Sequence, residues 1–103
     1  MSKMKQYYFV MLSRGPDRSQ DSVTAAKLQE GHMASIMRMA DENKLIIAGP
    51  FADNGDWRGI FIMDVASLEE AKKELDQDPA IKAGRLKYEI HPWWTEKGAR
   101  IFK

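Results

Sequence analysis

The stretch KQYYFVML, residues 5–12, decides the fold because its composition predicts a β-strand that is apolar on both faces. Side chains alternate between the two faces of a strand, which divides the apolar residues into two sets. One face carries Tyr7, Phe9 and Met11, and the other carries Tyr8, Val10 and Leu12. The strand predicted at residues 57–64, WRGIFIMD, is apolar on both faces in the same way. Both sides of the sheet therefore need a cover, since an exposed apolar face of that size is rare on a monomer.

The predicted helices can pack on one of the two apolar faces of the sheet. The order strand, helix, strand, strand, helix, strand predicts an α+β fold of the ferredoxin-like βαββαβ kind, with a four-stranded antiparallel sheet. The first helix begins at Asp21 or Ser22 and runs to about Asn43, with a break at Gly31 left open. The other predicted features are a buried strand at 45–51, a hairpin turn at Asn54-Gly55, a capping box of Ser67 and Glu70, a second helix that ends between residues 76 and 79, a turn through Gly84, and a last strand at 86–94.

The second cover is predicted to be another copy of the chain. Two helices cover only one face of a four-stranded antiparallel sheet. The simplest cover for the other face is the same face of a second subunit, so we expect a homodimer joined through the sheet. A single domain, residues 1–103, accounts for the whole chain, with a polar C-terminal extension from about residue 95.

Composition restricts the possible functions. Sixteen basic and fifteen acidic residues leave a net charge of +1, which provides no large field to attract nucleic acid or acidic membranes. No segment approaches the roughly 20 apolar residues of a membrane span. Arg58-Gly59 opens a strand as in an RNA-recognition motif, but the motif's aromatic positions are Ile60 and Ile62. We expect a cytoplasmic protein that binds neither nucleic acid nor membranes.

The apolar side of the first helix contains a histidine. At about 100° per residue, His32 falls between Ile36 and Met39 on the helix surface. A histidine there is either a core residue with one satisfied hydrogen bond or a group placed for proton transfer near neutral pH. The second role needs a carboxylate to fix the tautomer of the ring. Periodicity alone leaves both interpretations open.

The candidate carboxylates are Asp76 and Asp78, in the segment LDQDP. Asp78 precedes a proline, which favours a turn and allows its side chain to meet His32 if the helices lie side by side. An ordinary turn role explains both aspartates equally well. His91 shares the more polar face of its strand with Lys87 and Glu89, where a solvated or interface role is expected.

Other kinds of chemistry have little support. The chain has no cysteine, which excludes disulfides, thiolate chemistry and cysteine-based metal sites. The two histidines lack the spacing of metal ligands, and no serine lies in a nucleophile-elbow context. We therefore expect neither a metal nor another cofactor.

Two stretches make the chain resemble the YCII-related family, GHMASIMRMADENKLIIAGPF at 31–51 and DPAIKAG at 78–84. The similarity extends from the first strand to about Pro92. The resemblance implies a dimeric α+β barrel, in which two ferredoxin-like subunits pack sheet against sheet, and a histidine–aspartate pair that falls on His32 and Asp78. Members of the family are proposed enzymes, and a related protein removes chloride from a chlorinated hydroxyquinol. A longer segment before the first helix and the tail at Trp93-Trp94 depart from the family pattern, so the substrate does not transfer.

Together these features predict a pocket for a small, partly apolar substrate. His32 would act as general acid/base, with Asp78 orienting it, in an elimination, dehydrochlorination or isomerisation. The alternative is a non-catalytic module that binds a small ligand or supports assembly, with the same two residues as a structural pair. We expect the substrate site to be lined by Tyr7, Phe9, Gly49, Pro50 and Phe51.

Overall fold

The computed structural model describes residues 3–97 of the chain. Its strands pair antiparallel in the order β2-β3-β1-β4, which is the ferredoxin-like arrangement that the sequence predicted. Three helices accompany this sheet in the described part of the chain, so the α+β class is confirmed. In chain order the elements are β1 (Met4–Arg14), α1 (Ser22–Asp41), β2 (Leu45–Pro50), β3 (Trp57–Met63), α2 (Leu68–Leu75), α3 (Pro79–Lys82) and β4 (Leu86–Glu96).

The hydrophobic core lies between the helices and one face of the sheet. This face carries the even-numbered residues of β1, and α1 and α2 supply the residues that pack on it. Burying these side chains provides the main favourable free energy of folding. The core residues are Tyr8, Val10, Leu12, Met39, Phe61, Met63, Val65, Ala71 and Leu75.

The opposite face of the sheet is also apolar at its centre. Phe9 of β1 lies beside Ile62 of β3 on one side and His91 of β4 on the other. Two apolar side chains on this face are well exposed, with Ile47 at 59% and Trp93 at 44%. We call this side of the sheet the open face; Tyr7 at 3% and Ile62 at 9% exposure are already buried within it, and its residues are Tyr7, Phe9, Met11, Ile47, Ile60, Ile62 and Trp93.

Several elements differ from the sequence predictions. α1 begins after Asp21, which accepts a hydrogen bond from the Thr24 amide at 2.7 Å, and it continues through Gly31 without a break. A further one-turn helix, α3, follows Asp78, whose side chain caps it. The prediction of a buried strand is wrong for β2, which lies at the sheet edge and is largely exposed, as its Pro50 tolerates.

The C-terminal strand is longer than predicted. β4 continues beyond Trp94 because Thr95 and Glu96 pair with Lys5 and Met4 of β1. The rest of the predicted extension, residues 98–103, lies outside the described residues. Over residues 3–97, no helix has the length and apolar character to cross a membrane.

A buried ion-pair cluster joins α2 to α1. Glu74 is only 5% exposed, and its carboxylate accepts hydrogen bonds from Arg38 at 2.5 Å and from Lys44 at 3.1 Å. Burial raises the pKa of Glu74, but the hydrogen bonds and charges of these two cations outweigh burial and hold it below its usual value. The ionised carboxylate therefore stabilises the fold above the pKa of the unfolded chain, and that stabilisation is lost as the pH falls through the lower folded-state pKa.

We expect Glu74→Gln to lower the free energy of unfolding by about 1–3 kcal/mol at neutral pH, because two charged donors lose an anionic acceptor. The loss should shrink as the pH drops below the ordinary glutamate value of 4.5, where Glu74 of the unfolded chain becomes protonated, and further as the pH passes the lower folded-state pKa. Urea unfolding at neutral and acidic pH measures both effects. Glu30→Gln removes an exposed carboxylate of α1 and is the control. Equal losses for Glu74→Gln at both pH values would contradict the charge-based account.

Candidate active site

A cavity of about 280 Å³ lies between α1 and the strands at the β2 edge of the sheet. Helix α1 contributes one wall, and β2 and β3 contribute the other. Its volume is at the lower end for small-molecule sites and suits a ligand of about one ring. Most of the lining is apolar, and three of the lining residues have polar side chains, Gln29, His32 and Arg58. The full lining is Leu12, Gln29, His32, Met33, Ile36, Ala48, Gly49, Pro50, Arg58, Gly59, Phe61 and Leu86.

The imidazole of His32 is held by a buried carboxylate. Its Nδ1 is hydrogen-bonded to Oδ2 of Asp78, and the two residues are 9% and 2% exposed. The ring also stacks on Phe61 of β3, with ring centroids 6.2 Å apart and an interplanar angle of 19°. Both the position and the tilt of the ring are therefore fixed by elements that belong to the core.

Local sequence explains where the carboxylate sits. Asp78 precedes Pro79, which keeps the aspartate out of the helical conformation, with φ −70° and ψ 122°. Its Oδ1 accepts a hydrogen bond from the Ala80 amide at 2.8 Å and so caps α3. The other carboxylate oxygen, Oδ2, is left for His32. The predicted meeting of the two helical regions at these residues is present in the structure.

The ring of His32 has one engaged and one unengaged nitrogen. Within residues 3–97, Nε2 makes no hydrogen bond, and the only buried side-chain nitrogen or oxygen without a partner is Nη2 of Arg38. Nε2 is therefore accessible, on a residue that lines the cavity. This arrangement presents one basic ring atom to a bound molecule.

Gly31 allows α1 to approach α3 closely beside this pair. A Cβ atom at Gly31 would lie 2.6 Å from Cγ of Pro79, too close for any real contact. Helix propensity alone predicts that Gly31→Ala stabilises the protein by about 1 kcal/mol. We expect the reverse, a loss of about 1–3 kcal/mol from overpacking, because the Pro79 ring must move.

Thermal or urea unfolding of Gly31→Ala measures the sign of this effect. Ala34→Gly, at an exposed position on the same helix, is the matched control and should cost about 1 kcal/mol, the propensity difference. If Gly31→Ala instead stabilises the protein, the Pro79 ring moves at little cost in free energy and the overpacking explanation is wrong.

The residues predicted to line the substrate site divide into two groups. Gly49 and Pro50 of β2 line the cavity, as does His32. Tyr7 and Phe9 do not line it, because strand alternation places them on the open face, away from α1. Phe51 follows the end of β2, packs against the ring of Trp57 at 5.9 Å and lines a neighbouring surface depression.

Several lining residues escaped the sequence prediction. Gln29 and Ile36 lie three residues before and four after His32, so helical spacing identifies them as its neighbours. Met33 directly follows His32 and has no such signal. The sequence around Arg58 bears only on nucleic-acid binding and does not indicate a cavity residue.

His91 lies on the sheet face opposite the core, with its side chain 64% exposed and Nε2 at 3.4 Å from Glu89. Among the residues that the structure describes, no group of three or more His, Asp and Glu side chains could hold a metal ion.

These features define a ferredoxin-like α+β domain with a buried histidine–aspartate pair at the wall of a small cavity. A model of the YCII-related domain matches residues 7–94. The chain belongs to the YCII-related domain family.

Two similar proteins illustrate the relationship. The uncharacterized protein YjpA of Bacillus subtilis (strain 168) is 28% identical over 91 residues, which cover 88% of this chain and 99% of that protein. A solved structure of the 5-chloro-2-hydroxyhydroquinone dehydrochlorinase TftG from Burkholderia phenoliruptrix AC1100, in complex with 2,5-dihydroxybenzoquinone, matches with a TM-score of 0.59 at 22% identity. That match covers 84% of this chain and 92% of the dehydrochlorinase chain, and it shows that the two share a fold.

Proposed function

We propose that this chain is a small-molecule enzyme in which His32 acts as general acid/base and Asp78 holds the imidazole in position. The observation that carries this proposal is the difference between the two ring nitrogens of His32. Within residues 3–97, Nδ1 is hydrogen-bonded to Asp78 and Nε2 makes no hydrogen bond. An ionised carboxylate only accepts hydrogen bonds, so a neutral ring donates its proton from Nδ1 to Asp78. Nε2 is then unprotonated and able to accept a proton from a molecule in the cavity.

The reaction that this geometry supports is proton removal from a carbon acid or hydroxyl group. Nε2 accepts the proton, and the electron pair left behind forms a double bond. In an elimination, a leaving group such as chloride departs from the adjacent atom with its bonding pair, and the imidazolium returns its proton to water. In an isomerisation, the imidazolium returns the proton to a different atom of the same molecule. The Asp78 carboxylate stabilises the imidazolium between these steps.

The fold neighbour supports elimination as the first reaction to test. By its name, that protein removes the elements of hydrogen chloride from a chlorinated aromatic ring compound. A ring-sized molecule also suits the volume and apolar lining of the cavity described above. The specific substrate of this chain follows from neither observation.

A substrate screen in deuterated water tests the proposed chemistry. Small halogenated and hydroxylated ring compounds are incubated with the protein, and NMR detects deuterium incorporation and product formation while an electrode detects chloride release. We expect turnover of at least one compound by the wild-type protein and none by the double variant His32→Gln, Asp78→Asn. Turnover by the double variant at the wild-type rate would exclude the proposed roles.

One observation favours a non-catalytic alternative. Asp78 uses its second oxygen to cap α3, so the His32–Asp78 contact also ties α1 to α3 regardless of any reaction. In that case the cavity binds a small ligand and the pair is structural. Compounds of the screen that bind in the cavity without deuterium exchange or turnover would support this alternative.

A homodimer formed through the open face is also part of the proposal. The resemblance to the YCII-related family implies a dimeric α+β barrel, and the open face of this chain is apolar at its centre. Association of identical faces about a twofold axis covers both at once. The occupant we assign to this face is therefore a second copy of the chain.

Phe9→Lys should separate the subunits, because it places a charge at the centre of the open face. We expect the dimer dissociation constant to rise by at least about 100-fold, the effect of losing roughly 3 kcal/mol at an interface centre. Light scattering coupled to gel filtration over a concentration series measures this change. Val23→Lys, at an apolar residue of α1 that is 65% exposed, is the control. A wild-type protein that remains monomeric at high concentration would refute the dimer.

A further inference from the structure

Four arginines lie near one another, and one of them lines the cavity. Arg58 lines the cavity beside Leu86, at the start of β3. Arg14 reaches the same turn as Arg58, since both donate hydrogen bonds to the Gly55 carbonyl, at 3.3 Å and 3.2 Å. Arg18 donates to the carbonyl of Arg85 at 2.7 Å, next to the start of β4. The cluster formed by Arg14, Arg18, Arg58 and Arg85 is called the arginine cluster below.

The positive charge of this cluster is poorly balanced. Of these four arginines, only Arg14 has a carboxylate of the described residues within 4.0 Å, and this is Asp56 at 3.9 Å, whose side chain is 92% exposed. The contacts of the other three arginines are with neutral oxygens of the backbone, Asn54 and Gln20. Burial lowers the pKa of Arg18, and so do the nearby charges of Arg85, Arg14 and Arg58. Three of the four guanidinium groups therefore have no carboxylate at contact distance within the described residues.

Arg58 has donors left over for a ligand. Its Nη1 atom is fixed by Asn54 Oδ1 and the Gly55 carbonyl, both at 3.2 Å. Over residues 3–97, Nη2 and Nε of Arg58 make no hydrogen bond, and neither is a buried unpaired atom. A guanidinium group held at one nitrogen and open at the other two matches the two oxygens of a carboxylate.

We propose that the cavity selects a small monoanion, a carboxylate or phenolate with a ring-sized apolar body, whose charged oxygens bind Arg58. This inference rests on the proposed function and names the class of its substrate. The apolar body of such a ligand occupies the space between Phe61, Ile36 and Leu12. The rest of the ligand then lies in the same cavity as His32, which accepts the proton to be removed. The rest of the arginine cluster attracts the anion toward the entrance.

Equilibrium binding of benzoate and of benzamide, its neutral counterpart of nearly the same shape, tests the inference. Both are titrated into the full-length isotope-labelled protein, and NMR shift changes at His32, Ile36 and Phe61 report occupation of the cavity. We expect benzoate to bind at least about tenfold more tightly than benzamide, and this preference to fall with added salt. Arg58→Gln should abolish the preference without weakening benzamide. Lys72→Gln, which removes a positive charge from the exposed side of α2, should leave it intact.

Each other outcome overturns the inference. Equal affinity for the two compounds, wild-type preference in Arg58→Gln, or no benzoate binding in the cavity up to about 50 mM, well beyond weak millimolar affinity, would each do so. The readout is independent of catalysis. If His32→Gln keeps both the benzoate preference and wild-type turnover, the acid/base proposal fails while the anion site stands. If turnover depends on His32 but benzamide binds as well as benzoate, the anion site fails alone.

Discussion

Replacing His32 by alanine is expected to lower turnover of any substrate that the wild-type protein processes by about 10²- to 10⁴-fold, the usual contribution of a general acid/base. The reason is geometric, because His32 is the cavity residue whose ring nitrogen is both basic and unengaged. The substrate-binding walls formed by β2 and β3 are unchanged by this substitution. The defect should therefore appear in kcat and much less in KM.

Two further variants make the His32 result specific. His32→Gln keeps a side chain that donates a hydrogen bond to Asp78, so it protects the fold while removing the basic nitrogen. His91→Ala removes an exposed histidine from the opposite sheet face and should leave turnover unchanged. Turnover within a factor of about three of wild type in His32→Gln, in a folded protein, would rule out proton transfer by this residue, since that change is far below the general acid/base contribution.

The two substitutions Asp78→Ala and Asp78→Asn should separate the structural and chemical roles of this carboxylate. Asp78→Ala removes the cap of α3 and the buried partner of His32, so we expect a loss of about 2–4 kcal/mol in the free energy of unfolding. Asparagine is also a good helix cap, so Asp78→Asn should cost about 1 kcal/mol or less. Urea unfolding measures both values.

Turnover should respond differently from stability. In Asp78→Asn, the Ala80 amide takes the side-chain carbonyl oxygen, which turns the amino group toward Nδ1 of His32. An amino group donates to Nδ1 and forces the ring proton onto Nε2, where it blocks the base. We therefore expect Asp78→Asn to fold nearly as well as wild type and to lose turnover by at least about 100-fold. A stable Asp78→Asn protein with wild-type turnover would show that the carboxylate only caps α3.

The fold was accessible from the sequence because alternation and capping are local. The two apolar sets of residues 5–12 correctly defined two sheet faces, and Ser67 caps α2 as predicted, accepting from the Glu70 amide at 3.1 Å. β2 was mistaken for a buried strand because its composition is apolar throughout, and nothing local marks it as the edge strand of the sheet. Similarly, α3 is only four residues long and is too short for helical periodicity to reveal.

The candidate site was accessible only in part. His32 is visible in the sequence as a polar residue in an apolar arc, whereas Asp78 is one of two candidate aspartates and only the family resemblance favours it over Asp76. Tyr7 and Phe9 were placed at the pocket because both sets of β1 residues are equally apolar, and the sequence does not say which set faces the helices. Arg58 was missed as a site residue because its lack of a carboxylate partner depends on how four distant segments meet.

The tautomer of His32 tests the central claim most directly. Two-bond proton–nitrogen NMR correlation of the wild-type protein, at a pH where the ring is neutral, distinguishes a protonated Nδ1 from a protonated Nε2. We predict that the proton resides on Nδ1 and that the Nε2 resonance shifts when benzoate occupies the cavity. A proton on Nε2, or an Nε2 resonance unaffected by a ligand bound in the cavity, would contradict the assignment of this atom as the catalytic base.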